Sequence, residues 1–407
     1  MNRRLARLAA ATTVAGLLAL TACGSDDGDS SGAAPPSSPG TPTTSPSPTP
    51  TPTPTPDPRT FTLVATGDVL LHERLWTQAR NDAGPGEEMD FAPQLANIAP
   101  IVEGADLAVC HMETPLAPAG GPYEGYPTFS GPPQVVTALA ETGYDACTTA
   151  SNHTFDQGAA GVDRTLDTLD AAGLAHAGSA RTPEESEQIT HVEVPVTDGE
   201  PVDVALLSYT FGFNGIPAPN GETWRGHEID PARILADAAT ARSEGADVVV
   251  AALHWGDEYV HEPNTLQSEL APQLIASPDI DLLLGHHAHV VQPIENVGGE
   301  WVVYGMGNLM ANHAEPEGPK AEGLLTRFTF TESAGGAGAF TVTKAEFLPL
   351  YQTYTPPVEV LDVPAALASG DTGTATAARL QEALERTTEV VDSRGGAAAG
   401  LTMLESP

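Results

Sequence analysis

Lysine is almost missing from this chain: Lys320 and Lys344 are its only two, and 17 Lys and Arg residues stand against 54 Asp and Glu residues for a formal net charge of -37. DNA and RNA binding draw most of their affinity from cations that neutralise phosphates, so a nucleic-acid partner is excluded. Electrostatic adsorption to anionic lipid fails for the same reason. Long apolar runs are also scarce. The one present, Leu8 to Leu20, is shorter than the ~20 residues a transmembrane helix needs. Cysteine occurs three times, and aromatic residues make up 5% of the chain. What remains is sufficient for a folded protein: 41% of the 407 residues are hydrophobic, enough for one large domain or two modest ones.

Arg3, Arg4 and Arg7 precede the apolar run, the charge pattern of an export signal over residues 1–22. The run ends Leu20-Thr21-Ala22-Cys23-Gly24, which resembles a bacterial lipobox, so Cys23 is expected to carry lipid and anchor the chain to the outer face of the cell membrane. Residues 23–58 hold a Ser/Thr/Pro tract with repeated Thr-Pro, which cannot bury a core and favours an extended spacer. With Cys23 assigned, Cys110 and Cys147 are left as a disulfide or as two buried thiols, and the reading favours thiols.

From Thr60 onward, β-branched apolar runs alternate with helical periodicity. Strands are predicted at 60–66, 106–110, 145–149, 202–208, 247–253, 280–284 and 301–304, with helices at 91–102, 134–141, 159–172, 231–243 and 265–275. This order predicts an α/β fold with largely parallel pairing. A hairpin at 324–331 and 339–349, around the Gly-rich 334–338, is expected to complete a second sheet. A helix is predicted at 374–390, with loose residues after it. The expected organisation is a main domain at 59–355 and a C-terminal helix and tail at 356–407.

Chemistry gathers where the predicted strands end, the edge at which open α/β sheets bind ligands. The first strand delivers Asp68, the second His111 and Glu113, and the third Asn152, His153 and Asp156. A later strand gives His254, and another gives His286, His287 and His289. His287 and His289 alternate along an extended segment and so point the same way, whereas His286 points away. Nitrogen and oxygen donors without thiolate suit Mn, Fe or Zn, and two such ions can hold both oxygens of a phosphoryl displacement.

The motifs Gly67-Asp68-Val69, Glu113-Thr114-Pro115-Leu116, Ser151 to Gly158, His254 to Tyr259, Gly285 to Pro293 and Tyr304 to Asn308 together resemble the CapA, or PGA_cap, capsule-synthesis family, over about Phe61 to Asn308. That family is similar to the calcineurin-like metallophosphoesterases. The resemblance implies a four-layer α/β/β/α sandwich, two divalent ions and a role in poly-γ-glutamate or other envelope polymer synthesis. Carried over by position, Asp68 and His289 bind one ion, Glu113 bridges, and Asn152, His254 and His287 bind the second. His153 acts on the phosphoryl oxygen or leaving group, Asp156 orients it, and Glu258 and Tyr259 line the mouth.

The pattern also departs from the family. Leu70 stands where a ligand His is customary, which leaves His72, displaced by two residues, as a substitute ligand or a surface residue. His111 is an additional ligand or a supporting donor. His176, His191, His227, His261 and His313 are assigned to surface or core. Two functions stay open: a hydrolase acting on a phosphorylated or polymeric envelope substrate, or a non-catalytic factor that assembles with capsule-synthesis membrane proteins around a structural metal. A polyanionic polymer is repelled by so acidic a protein unless metals or local basic residues offset the field.

Overall fold

The computed structural model describes residues 57–197, 199–313, 318–333 and 338–405. The expected signal, Cys23, all but the last two residues of the tether and most of the Gly-rich turn lie outside these.

The first sheet contains β1 (Thr60–Val69), β2 (Leu107–Met112), β3 (Ala146–Thr148) and β4 (Ala175–Ala177), paired in parallel in that order. The second contains β5 (Thr190–Val194), β6 (Val202–Thr210), β7 (Val248–His254), β8 (Leu282–His286), β9 (Ile294–Val297) and β10 (Glu300–Val303), in the order β5-β6-β7-β8-β10-β9. Its inner pairs are parallel, and both edge strands are antiparallel. The first sheet continues past β1 through β11 (Asn308–Met310), β12 (Glu322–Glu332), β13 (Phe340–Gln352), β14 (Val360–Asp362) and β15 (Leu401–Met403).

Alternation along the strands explains the layering. Phe61, Leu63, Ala65, Leu107 and Val109 face Val204, Leu206, Val248, Val250, Ala252, Leu282 and Leu284 of the other sheet. The intervening residues Val64, Ala108, Cys110 and Cys147 pack beneath Val135 and Leu139 of the helix Gln134–Thr142 and Val162, Leu166 and Leu169 of the helix Gly158–Ala172. On the far side Ala205, Leu207, Val249, Ala251 and Leu253 meet Ile234 and Ala238 of the helix Pro231–Glu244 and Leu270 and Leu274 of the helix Thr265–Ile275. Both faces of each sheet are buried, which is why the strands read as continuous apolar runs rather than as an alternating pattern. Each buried Leu or Val contributes roughly 1.5–3 kcal/mol. The result is the expected four-layer α/β/β/α sandwich.

Four expectations change. The helix expected at 91–102 breaks into Ala92–Leu95 and Ala99–Glu103, each with a proline in its first turn, where the missing N–H disrupts no helical hydrogen bond. The hairpin of β12 and β13 does not complete the second sheet; it lies antiparallel beside β1 in the first. The C-terminal residues are not loose: after the helix Ala377–Asp392, Leu401–Met403 pairs in parallel with β13. Cys110 and Cys147 form a disulfide, not two thiols, because the register of β2 and β3 sets them side by side with Cα atoms 4.5 Å apart.

Candidate metal centre

Two close backbone approaches build the floor of the site. A Cβ on Gly67 would lie 2.1 Å from the Gly307 carbonyl oxygen, and one on Gly285 would lie 1.9 Å from that of Tyr304. Only glycine lets β1 and β8 run this close to the 304–307 segment. The Asp68 N–H then donates to the Gly307 carbonyl at 2.9 Å, which fixes the first carboxylate at the strand end.

Around it the strands converge. Asp68, His111, Glu113, Asn152, His254, His287 and His289 are all buried and come together from both sheets. Two triads offer ligand atoms within 4.8 Å of one another: Asp68, His111 and His286, and Glu113, His287 and His289. His286 was expected to point away but does not. Its Nδ1 lies 2.9 Å from Asp68 Oδ1, and its ring stacks on His111 with centroids 3.9 Å apart. The alternation rule fails because the segment is not extended: His287 and His289 have φ of 88° and 52°. Left-handed backbone at non-glycine residues costs of order 1–3 kcal/mol and concentrates at functional sites.

Hydrogen bonds orient these side chains. Asp68 Oδ2 accepts from the His287 N–H at 3.1 Å and lies 3.2 Å from His289 Nδ1. Asn308, which sequence reading left without a role, places its Oδ1 3.0 Å from the same His289 nitrogen, leaving Nε2 facing Glu113 Oε1 at 3.6 Å. His111 Nδ1 meets the Thr148 hydroxyl at 2.8 Å, and His111 Nε2 meets His254 Nδ1 at 3.0 Å. His254 Nε2 in turn lies 2.9 Å from Asn152 Oδ1.

The electrostatics show what the cluster lacks. Neither oxygen of the Glu113 carboxylate has a hydrogen-bond partner among the described residues, and His287 Nδ1 is equally unpartnered. Burial pushes the Glu113 carboxyl well above its ordinary range, against the pull of His289. Burial also opposes charge on Asp68, but hydrogen bonds from His286 and His289 outweigh it and hold that carboxyl well below the usual range. For His289, burial works against protonation, yet Glu113 and Asp68 raise it to about 9. Burial and neighbouring imidazoles drive His111 and His254 well down, and His287 to about 3. The neutral imidazoles of His111, His254 and His287 beside a buried Glu113 carboxyl without a hydrogen-bond partner are a donor set that a divalent cation satisfies. The residues present therefore fit a metal.

Beside the cluster, His153 Nδ1 lies 2.7 Å from Asp156 Oδ2, which also accepts the Phe129 N–H at 2.7 Å. Phe129, in the segment 122–133, sets its ring edge-on to His153 and to His72, with centroids 4.7 and 5.2 Å away. His72 is neither a surface residue nor a member of either triad: its Nδ1 accepts the Asn312 N–H at 3.0 Å. Leu70, in the customary ligand position, is buried with Phe129 and Ala311. Tyr259 stands at the mouth, partly exposed, and burial together with the neighbouring Glu258 charge pushes its phenol up. Phe211, placed opposite by the end of β6, sets its ring 4.5 Å from His287. His313 lies 5.0 Å from His289. Sequence reading missed both; Phe211 carries no polar group, and no local pattern marks His313.

A four-layer sandwich with a buried histidine and carboxylate cluster at its strand ends is a metallophosphoesterase-like fold. The family model described as bacterial capsule synthesis protein PGA_cap matches residues 62–313, and the chain belongs to that family. It is 28% identical over 185 residues to the capsule biosynthesis protein CapA of Bacillus anthracis, covering 45% of this chain and 44% of that protein. It is also 28% identical over 213 residues to the PGA biosynthesis protein CapA of Bacillus subtilis (strain 168), covering 51% and 52%. The chain thus spans about half the length of the curated relatives it matches. Among solved structures, the calcineurin-like phosphoesterase YfkN from Bacillus subtilis aligns with 82% of this chain and 97% of its own at 14% identity and a TM-score of 0.45.

Proposed function

We propose that this protein is a metal-dependent hydrolase of the phosphoesterase type, serving capsule or envelope polymer synthesis from the outer face of the cell membrane, where lipid on Cys23 would hold it. The observation that carries the hydrolase reading is the pairing of His153 with Asp156 at the edge of the ligand cluster. A purely structural metal would need no such pair. Family membership and the names of the two CapA relatives support the polymer role.

Asp68, Glu113, Asn152, His254, His287 and His289 would hold two divalent ions, Mn, Fe or Zn, with His111 and His286 adding donors beside Asp68. Bound there, such ions polarise a phosphoryl oxygen and acidify a water. The chain's own residues supply the rest. Asp156 Oδ2 accepts a hydrogen bond from the His153 Nδ1–H and orients the ring, which in its imidazolium form would donate from Nε2–H to the phosphoryl oxygen or leaving group. Phe129 walls off water on that side, and Phe211 and Tyr259 frame the opening.

A second reading has a specific observation behind it: Leu70 fills the position of a customary ligand histidine, so the site could be a structural one in a non-catalytic assembly factor bound to capsule-synthesis membrane proteins. One experiment separates the two. Metal content and bis-p-nitrophenyl phosphate turnover are measured on the full chain and on His153→Ala. The hydrolase reading expects about two metals per chain in both and loss of turnover in the variant. Metal without turnover in the wild type, together with equal recovery of membrane partners by both forms, establishes the assembly factor.

A further inference from the structure

We propose that Lys320, held against the Tyr259 ring, forms an anion subsite beside the metal centre, selecting substrates that carry a second oxyanion, a carboxylate or phosphate, beyond the group that reacts. This rests on the hydrolase reading above. It begins from the scarcity of lysine. Of the two in the chain, Lys344 is spent on Glu346, 2.8 Å away. Lys320 instead sets its ammonium 4.0 Å from the centroid of the Tyr259 ring, with no carboxylate in ion-pair reach among the described residues.

Both partners are held in place. The Lys320 carbonyl accepts the Asn308 side-chain amide at 3.0 Å, and that amide's oxygen lies 3.0 Å from His289 Nδ1. One side chain therefore ties the lysine's backbone to a metal-capable imidazole. Tyr259 adopts φ 65°, a backbone that tyrosine rarely takes, and its N–H donates at 2.7 Å to the Ala288 carbonyl between the two ligand histidines. Its ring lies 6.1 Å from His289 and 5.5 Å from His313, whose Nδ1 is 3.5 Å from the phenol. Among the described residues, the Glu258 charge acts on the Tyr259 phenol and is an acid in competition.

An aromatic face attracts a cation without neutralising it. The ammonium therefore stays able to pair with an incoming oxyanion. In a chain with 54 acidic side chains, a fixed cation at this point offsets the local field for a second oxyanion that reaches it.

The test measures equilibrium binding of phenylphosphonate and 4-carboxyphenylphosphonate to the metal-loaded full chain by calorimetry at low salt. Neither probe turns over, and they differ only in the carboxylate. The wild type should bind the carboxylated probe about threefold to fivefold more tightly, the scale of a partly exposed ion pair. Lys320→Gln should lose that preference and Lys320→Arg should keep it, with phenylphosphonate affinity the same in all three. A preference that survives in Lys320→Gln, or is absent from the wild type, overturns the subsite. Failure of the wild type to bind phenylphosphonate at all overturns instead the phosphoryl-binding reading, and the subsite with it.

Discussion

Replacing Asp156 by Asn tests whether that carboxylate acts through His153. Asp156 Oδ2 takes two hydrogen bonds, from His153 and from the Phe129 N–H, while its Oδ1 is buried with no partner. In the variant the amide oxygen can keep both bonds, so the geometry survives but the negative charge does not. A charge-assisted bond contributes about twice a neutral one, which puts the loss at roughly 1–1.5 kcal/mol, or about 5- to 13-fold in kcat. The amide NH2 must occupy the unpartnered Oδ1 position, so stability should also fall by about 1–3 kcal/mol. The assay is turnover of bis-p-nitrophenyl phosphate by the full chain below its melting range, with metal content determined on the same sample. KM and metal content should hold. Because Asp156 acts through His153, the His153→Ala/Asp156→Asn double variant should be no slower than His153→Ala alone. Wild-type kcat in Asp156→Asn, or multiplicative losses in the double variant, would refute the pairing.

Two predictions concern stability. Burial and the nearby Asp281 charge raise the half-buried Glu300 to about 7, against the pull of Arg242. A carboxyl whose folded value lies above its unfolded one contributes fully below the unfolded value and loses that contribution as pH rises through the folded one. Glu300→Gln should therefore stabilise the protein above about pH 7, by roughly 1 kcal/mol after allowance for solvent screening, and make no difference below about pH 4. Urea melts at both pH values check this; equal melts at the higher pH would contradict it. The Cys110–Cys147 bond closes a span of 37 residues, so the Cys110→Ser/Cys147→Ser variant should lose about 3–4 kcal/mol on the chain-entropy account. Its midpoint in denaturant should match that of the reduced wild type, and a midpoint unchanged from the oxidised protein would show that the bond contributes nothing.

Elements with their own local signals were legible. The helix at 265–275 was bounded correctly, and its start carries the reciprocal Asn264 and Gln267 capping bonds. The strand ends that carry the buried cluster were legible too, because Asp68, Glu113, Asn152 and His254 each follow an apolar run. What escaped was set by contacts distant in sequence. The place of the β12–β13 hairpin depends on β1, about 260 residues earlier. The cysteine bond depends on the register of two separate strands. His286 escaped for a different reason: its neighbours take left-handed backbone, which no side-chain pattern announces for histidine. Lys320 and His313 lie outside every motif and reach the site through Asn308 and Tyr259.

Burial on both faces of the two sheets has a consequence for how the protein can change. A strand such as β7, with every residue from Val248 to His254 buried, leaves no side chain free to vary without disturbing a neighbouring layer. The rim is different, since Phe211, Tyr259 and Lys320 hang from the loops after β6, after β7 and before β12. Loops tolerate replacement far better than the elements they connect. A new substrate preference can therefore be acquired by rewriting these few surface segments, while the strands that present the ligands stay as they are. On the hydrolase reading, the protein is in effect a fixed reaction chamber with an exchangeable doorway.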